Sequence, residues 1–171
     1  EDKMIYSVDT ETTGLDPYKG DRPFAITTCD MKGETQYIPI AENGLLPITK
    51  LLADEDIETV YHNAKFDIQM LDTCGMVVNG TVHDTMIMAH VYNTDEQYYK
   101  LKYLAEKYWG VGNEKEEAVK KYMQQHRLTS YAEVPKEIME PYARNDAYIT
   151  MGLFKFYREK GTMQDPIYRT E

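Results

Sequence analysis

The chain opens on an apolar run, Met4 to Val8, that reads as a buried β-strand over residues 3–8. Two further strands follow in "RPFAITTCD" (22–30) and "ETQYIPI" (34–40), joined at "DMKGE", a glycine-containing hairpin loop. The period then changes. "PITKLLADE" (47–55) has helical apolar spacing, "IETVYH" (57–62) is a short β-branched strand, and "NAKFDIQMLDTCG" (63–75) is a helix with Asn63 as its cap and Gly75 as its stop. From residue 84 onward the pattern is helical almost throughout, over 84–93, 100–109, 113–126 and 135–158. A mixed sheet followed by helices predicts an α/β layer architecture. Pro141 interrupts the last helical stretch, where an interior proline costs about 3 kcal/mol. The sequence therefore predicts a short turn of helix over 135–140 and a fresh helix with Pro141 at its first position.

The length, 171 residues, suits one domain that buries a real core without disulfides or structural metal. No run approaches the roughly 18 apolar residues of a membrane span, and no signal peptide precedes the first strand, so a soluble, intracellular protein is expected. Cys29 and Cys74 lack metal-like spacing and read as free thiols. With 19 Lys and Arg against 29 Asp and Glu, the formal charge of −10 argues against a broad basic patch gripping duplex nucleic acid. It leaves open a nucleic-acid site bridged by metal. A start at Glu1 and the polar end "GTMQDPIYRTE" suggest a segment of something longer.

Three short stretches carry candidate chemistry. In "VDTETTGLDP", Asp9 and Glu11 alternate along a strand, which turns both to one face, about 6.5–7 Å apart along the chain, with Thr10 pointing away. Carboxylates so placed suit a hard divalent ion. Two solvated acids before a glycine turn fit the same letters, and a D-x-E triplet arises by chance about once per few hundred residues. In "HNAKFD", Asn63 and Asp67 stand i, i+4 at a βα junction, where α/β sheets usually bind ligands. A capping Asn63, a polar strand end at His62 and a solvated Asp67 explain that stretch equally well. In "YARND", Tyr142 and Asp146 share one helical face, and an aromatic packed on the core with an acid at its edge is the plain alternative. Together the three stretches supply four carboxylates and one phenol. Such a cluster repels itself without cations, so two divalent ions are the economical explanation.

With those residues in place, the sequence resembles the 3′–5′ proofreading exonuclease domain of family A DNA polymerases, in the tyrosine branch of the DEDD superfamily. "VDTETTGLDP", "VYHNAKFDIQML" and "YARNDAYIT" match its three motifs in order, and "HDTMIMAHV" and "LKYLAEKYWG" resemble its connecting segments. In the histidine branch the residue five places before the last Asp is a His; here it is Pro141. The resemblance implies a ribonuclease H-like mixed sheet of about five strands flanked by helices, with a helical C-terminal half. It implies one exonuclease domain over residues 1–171, with a polymerase domain C-terminal in the same chain. Asp9, Glu11, Asp67 and Asp146 become the metal-binding carboxylates and Tyr142 the residue that orients the attacking water. Thr12, Leu15 and Asn63 fall where the family contacts the terminal nucleotides.

Two Mg²⁺ or Mn²⁺ ions are implied. One, held by Asp9, Glu11 and Asp146, activates water; the other, near Asp9 and Asp67, stabilises the leaving 3′ oxygen. In that scheme Thr10 is a spacer, Asp9 bridges, and Glu11 serves one ion. The implied partner is a single-stranded 3′ end of DNA, the implied product a nucleoside 5′-monophosphate, and the implied setting the cytoplasm of a bacterial or phage-infected cell, as a monomer without membrane attachment. An RNA-trimming exonuclease of the same superfamily would share every catalytic residue, and a catalytically silent scaffold or binding domain is the rival from another class.

Other conspicuous residues take plain roles. Asp84 reads as the N-cap of "TMIMAHV", and His83, His90 and His126 lack zinc-like spacing. The run "NEKEEAVKKYMQQHR" reads as a solvated helix with i, i+4 ion pairs, and Met70, Met86 and Met88 read as core.

Overall fold

The structure, a computed structural model, describes residues 4–43 and 45–162. The predicted strand start at residue 3 and most of the polar C-terminal stretch lie outside these. A meander of β1 (Ile5–Thr12), β2 (Pro23–Cys29) and β3 (Thr35–Pro39) is followed by α1 (Ile40–Asn43), α2 (Leu46–Ala53), β4 (Glu58–Tyr61) and α3 (Ala64–Asp72). Next come β5 (Val82–Asp84), α4 (Thr85–Tyr92), α5 (Leu101–Trp109), α6 (Glu114–Gln125) and α7 (Lys136–Glu159). The sheet order is β3-β2-β1-β4-β5, antiparallel across β3, β2 and β1 and parallel from β1 to β5. The expected mixed, five-stranded α/β fold with a helical second half is what forms. Among the described residues no helix is long and apolar enough to cross a membrane.

Both faces of the sheet are covered. Val8, Ile26 and Tyr61 pack with Ile48, Leu52 and Leu71 of α2 and α3 on one face. Cys29 and Val60 pack with Met88, Leu104 and Phe154 of α4, α5 and α7 on the other. Each large apolar side chain so buried contributes about 1.5–3 kcal/mol. Because strand residues alternate, Val8 and Thr10 face α3, while Ser7, Asp9 and Glu11 face α7. The buried Ser7 hydroxyl donates to the Ala147 carbonyl at 2.6 Å, which pins α7 to β1 two residues before Asp9 and one after Asp146.

Three local expectations change. First, β1 runs four residues past Val8, because β2 continues to pair with it, Thr10 opposite Ile26 and Glu11 opposite Ala25. Second, β5 and α1 form where no pattern announced them; β5 is three residues long and exists by pairing with β4. Third, α7 is one helix of 24 residues with Pro141 inside it, not two helices. Pro141 lies on the exposed face, while Met139 before it and Ala143 after it are buried, so packing on both sides offsets the lost backbone bond.

Asn63 occupies the N-cap position of α3, but in a left-handed conformation (φ 74°) and with no side-chain capping bond. Asp84 does that work from 21 residues away. Its carboxylate accepts from the Asn63 and Ala64 N–H groups at 3.1 and 2.8 Å, and from Met86 and Ile87 at 2.9 and 3.4 Å. One side chain thus caps α3 and α4 together.

Candidate active site

The site forms where β1 outlasts its parallel neighbour. Pairing between β1 and β4 stops at Ser7 and Val60, and the chain then turns into α3. The N–H of Thr10 has no β4 residue opposite and donates to Asp67 Oδ1 at 3.2 Å; the Thr10 hydroxyl donates to the same oxygen at 2.6 Å. Thr10 does point away from Asp9 and Glu11, as the alternation predicts, but it is more than a spacer: it holds Asp67 in place.

On the α7 side, ligand oxygens of Asp9, Glu11 and Asp146 lie within 4.8 Å of one another. Asp67 is buried behind Thr10, outside that mutual cluster and not among the residues lining the cleft, and it acts on Glu11 and is acted on by Asp9 through charge. Burial holds the Asp9 carboxyl above the ordinary carboxylate range. Glu11 is held higher still by burial and then by Asp9, and Asp67 likewise by burial and then by Asp9. Asp9 Oδ2 is buried without a hydrogen-bond partner. An orphaned carboxylate oxygen among three converging acids fits a hard divalent cation, which would supply the missing contact.

Tyr142, half-buried on α7, stands in the same wall as Asp146. Burial, followed by the Glu11 charge, pushes its phenol far above its ordinary value, so it stays protonated and is available as a hydrogen-bond donor rather than a base. The cluster floors a cleft of about 570 Å³, whose remaining wall includes Leu15, Phe66, Met123, Ser130 and Tyr131. Thr12 lines it too, its hydroxyl turned to the Gly14 carbonyl at 2.7 Å. Leu15 is 83% exposed, an apolar side chain held out over the cleft. Its loop closes on Asp21, which accepts from Thr13 Oγ1 and Asp16 N–H; a Cβ on Gly14 would come within 2.4 Å of that carboxylate. Asn63 is exposed and does not line the cleft.

Four cleft residues, Phe66, Met123, Ser130 and Tyr131, carry no signal in the pattern of the sequence. Ser130 is fixed by a 3.0 Å bond to the Thr13 carbonyl, which ties the approach to α7 onto the end of β1. Lys102, within the "LKYLAEKYWG" stretch of α5, is a further addition: its ammonium donates to Asp146 Oδ1 and lies 4.7 Å from the centre of the Tyr142 ring. The histidines are structural. His62 is held between Thr85 Oγ1 and the Tyr99 carbonyl, His83 pairs with Glu58, and His90 and His126 stack on Tyr99 and Tyr122.

Residues 3–161 match the family model of the 3′–5′ exonuclease of A-type DNA polymerases. The chain is 31% identical over 170 residues to the DNA polymerase DpoZ of Salmonella phage PMBT28, covering 93% of this chain and 27% of that protein. It is 32% identical over 162 residues to DNA polymerase I of Borreliella burgdorferi, covering 90% and 17%. The chain thus spans about a quarter or less of the polymerases it matches. In fold it is similar to Brucella melitensis NrnC with bound Mg²⁺ (TM-score 0.71, 22% identity, 94% of this chain and 73% of that one). It is also similar to Escherichia coli RNase D, an exoribonuclease (TM-score 0.67, 17% identity, 94% and 40%). A largely buried carboxylate cluster on a five-stranded mixed sheet and a family match over nearly the whole length lead to one conclusion: the chain belongs to the 3′–5′ exonuclease domains of family A DNA polymerases.

Proposed function

We propose that this domain removes nucleoside 5′-monophosphates from a single-stranded 3′ end of DNA with two divalent ions, Mg²⁺ or Mn²⁺, and proofreads for a polymerase joined C-terminally to residues 1–171. The observation that carries the reading is the largely buried cluster of Asp9, Glu11 and Asp146, with the orphaned Asp9 oxygen, at the floor of the cleft. Asp9, Glu11 and Asp146 would hold one ion, and Asp9 with Asp67 a second. Bound there, such ions lower the pKa of water and neutralise charge on the leaving oxygen. The protein's own share is placement. Tyr142 offers a phenolic proton to the attacking water, and the Ser7–Ala147 bond sets Asp146 against Asp9. The exposed Leu15, with Thr12, presents an apolar edge to a terminal base. An acidic protein handles phosphate in this scheme because the ions, not its side chains, carry the positive charge.

DNA as substrate is supported by the names of the relatives, which are DNA polymerases, and their bacterial and phage origins support action in the cytoplasm. The test is a 5′-labelled single-stranded DNA and the matching RNA, each with Mg²⁺, Mn²⁺ or EDTA. Stepwise shortening of the DNA from its 3′ end, absent in EDTA, is expected. No shortening with either ion would overturn the enzyme reading, and equal or faster loss of RNA would redirect it to the ribonucleases.

Thr10 tests the placement of the second ion's ligand. Thr10→Val keeps shape but removes the hydroxyl on Asp67, and a lost partner of a metal ligand typically costs 10–100-fold in metal affinity or activity. A fall of about tenfold or more in exonuclease rate at limiting Mg²⁺ is expected. An unchanged rate would leave Asp67 without a need for Thr10.

A further inference from the structure

Resting on that metal-site reading, we propose that Lys102 is a resident cation of the active site, which holds the carboxylate cluster while no metal is bound and must be displaced from Asp146 before the first ion loads. The placement is specific. Lys102 lies at the start of α5, and its ammonium donates to Asp146 Oδ1, an oxygen of one of the three clustered acids. The side chain is 19% exposed, so the charge is largely withdrawn from water. Burial lowers its pKa from the ordinary lysine value, an effect opposed by the charges of Asp9, Glu116 and Glu11, and the ammonium lies against the Tyr142 ring. Lys107 on the same helix, by contrast, pairs with Glu96, away from the cluster.

An ammonium in this position has two consequences. It occupies a ligand oxygen that the ion needs, and it repels the ion as a like charge at short range. Both oppose metal binding. Lys102 therefore sets a threshold: the site stays assembled and closed at low metal and opens for chemistry at higher metal. Once displaced, the ammonium remains tethered beside Tyr142, where the phosphate of an entering 3′ end is the anion left to it.

The sign of the effect separates this role from an ordinary structural one. If Lys102 merely braced the site, its loss would weaken metal binding; as a competitor, its loss strengthens it. Mg²⁺ and Mn²⁺ titrations by calorimetry compare wild type with Lys102→Met, which keeps the length and removes the charge, and with Lys102→Arg, which keeps the charge. A charged hydrogen bond is worth enough that Lys102→Met is expected to bind the first ion about tenfold to a hundredfold more tightly. Lys102→Arg is expected to stay within a few-fold of wild type. Equal or weaker binding by Lys102→Met overturns the proposal, as does Lys102→Arg binding as tightly as Lys102→Met, since charge would then not matter. If Lys102→Met fails to fold by circular dichroism, Lys102→Gln is titrated in its place against the same criteria. A wild-type protein that binds no divalent ion removes the metal site itself, and this proposal with it; a wild type that binds while Lys102→Met is unchanged removes the proposal alone.

Discussion

Asp9→Asn is expected to slow removal of the 3′ nucleotide by about a thousandfold or more. Asp9 is the acid that stands with Glu11 and Asp146 in the cluster and also sits in electrostatic reach of Asp67. Charge stabilisation by a bound ion is worth several kcal/mol, and each 1.36 kcal/mol is about tenfold in rate. Retention of more than about a tenth of the wild-type rate would take Asp9 out of the chemistry. The same variant is expected to move stability the other way. Burial holds Asp9 above the ordinary range, and Glu11 and Asp67 higher still, so the folded protein binds more protons than the unfolded chain. Stability from such groups is present at low pH and is lost as the pH rises through their raised values. Above those raised values the metal-free wild type thus carries a like-charge repulsion that Asp9→Asn relieves. Thermal unfolding in EDTA across a pH series is expected to place Asp9→Asn above wild type at the alkaline end, with a smaller gain on adding Mg²⁺. A lower melting temperature for the variant would contradict this electrostatic account.

Asp84→Ala is expected to be the most destabilising single change outside the apolar core, about 3 kcal/mol. A lost N-cap costs about 1 kcal/mol, and here one carboxylate serves four N–H groups at the starts of α3 and α4. For a domain of this length each kcal/mol moves the melting temperature by roughly 2–4 °C, so a fall of about 6–12 °C is expected. Asp84→Asn should recover part of it, because three of the four bonds go to Oδ1 and one to Oδ2. A fall of under about 2 °C for the alanine variant would mean that water replaces the cap at both helices. Activity should follow stability here, since Asp67 sits in the first turn of α3.

Much of the architecture was open to reading because it rests on neighbours in the chain. Alternation marked β1, β2, β3 and β4; the shift to helical spacing marked α2 to α7; and the D-x-E alternation alone placed Asp9 and Glu11 on one face. The order of the three motifs then identified the family. Boundaries and partners were not local. Asp67 meets Thr10 across 57 residues, Lys102 meets Asp146 across 44, and Ser7 meets Ala147 across 140. No periodicity encodes such pairs, because each depends on which strand ends first and which helix crosses it. The early end of β4 explains why Asp67 stands behind Thr10; the burial of Met139 and Ala143 explains why Pro141 does not break α7; and the meeting of β4 and β5 explains why Asp84, not Asn63, caps α3. Local chemistry therefore determined the acids and the faces they point to, while the long-range closure of the sheet decided which of them converge and which lysine sits among them.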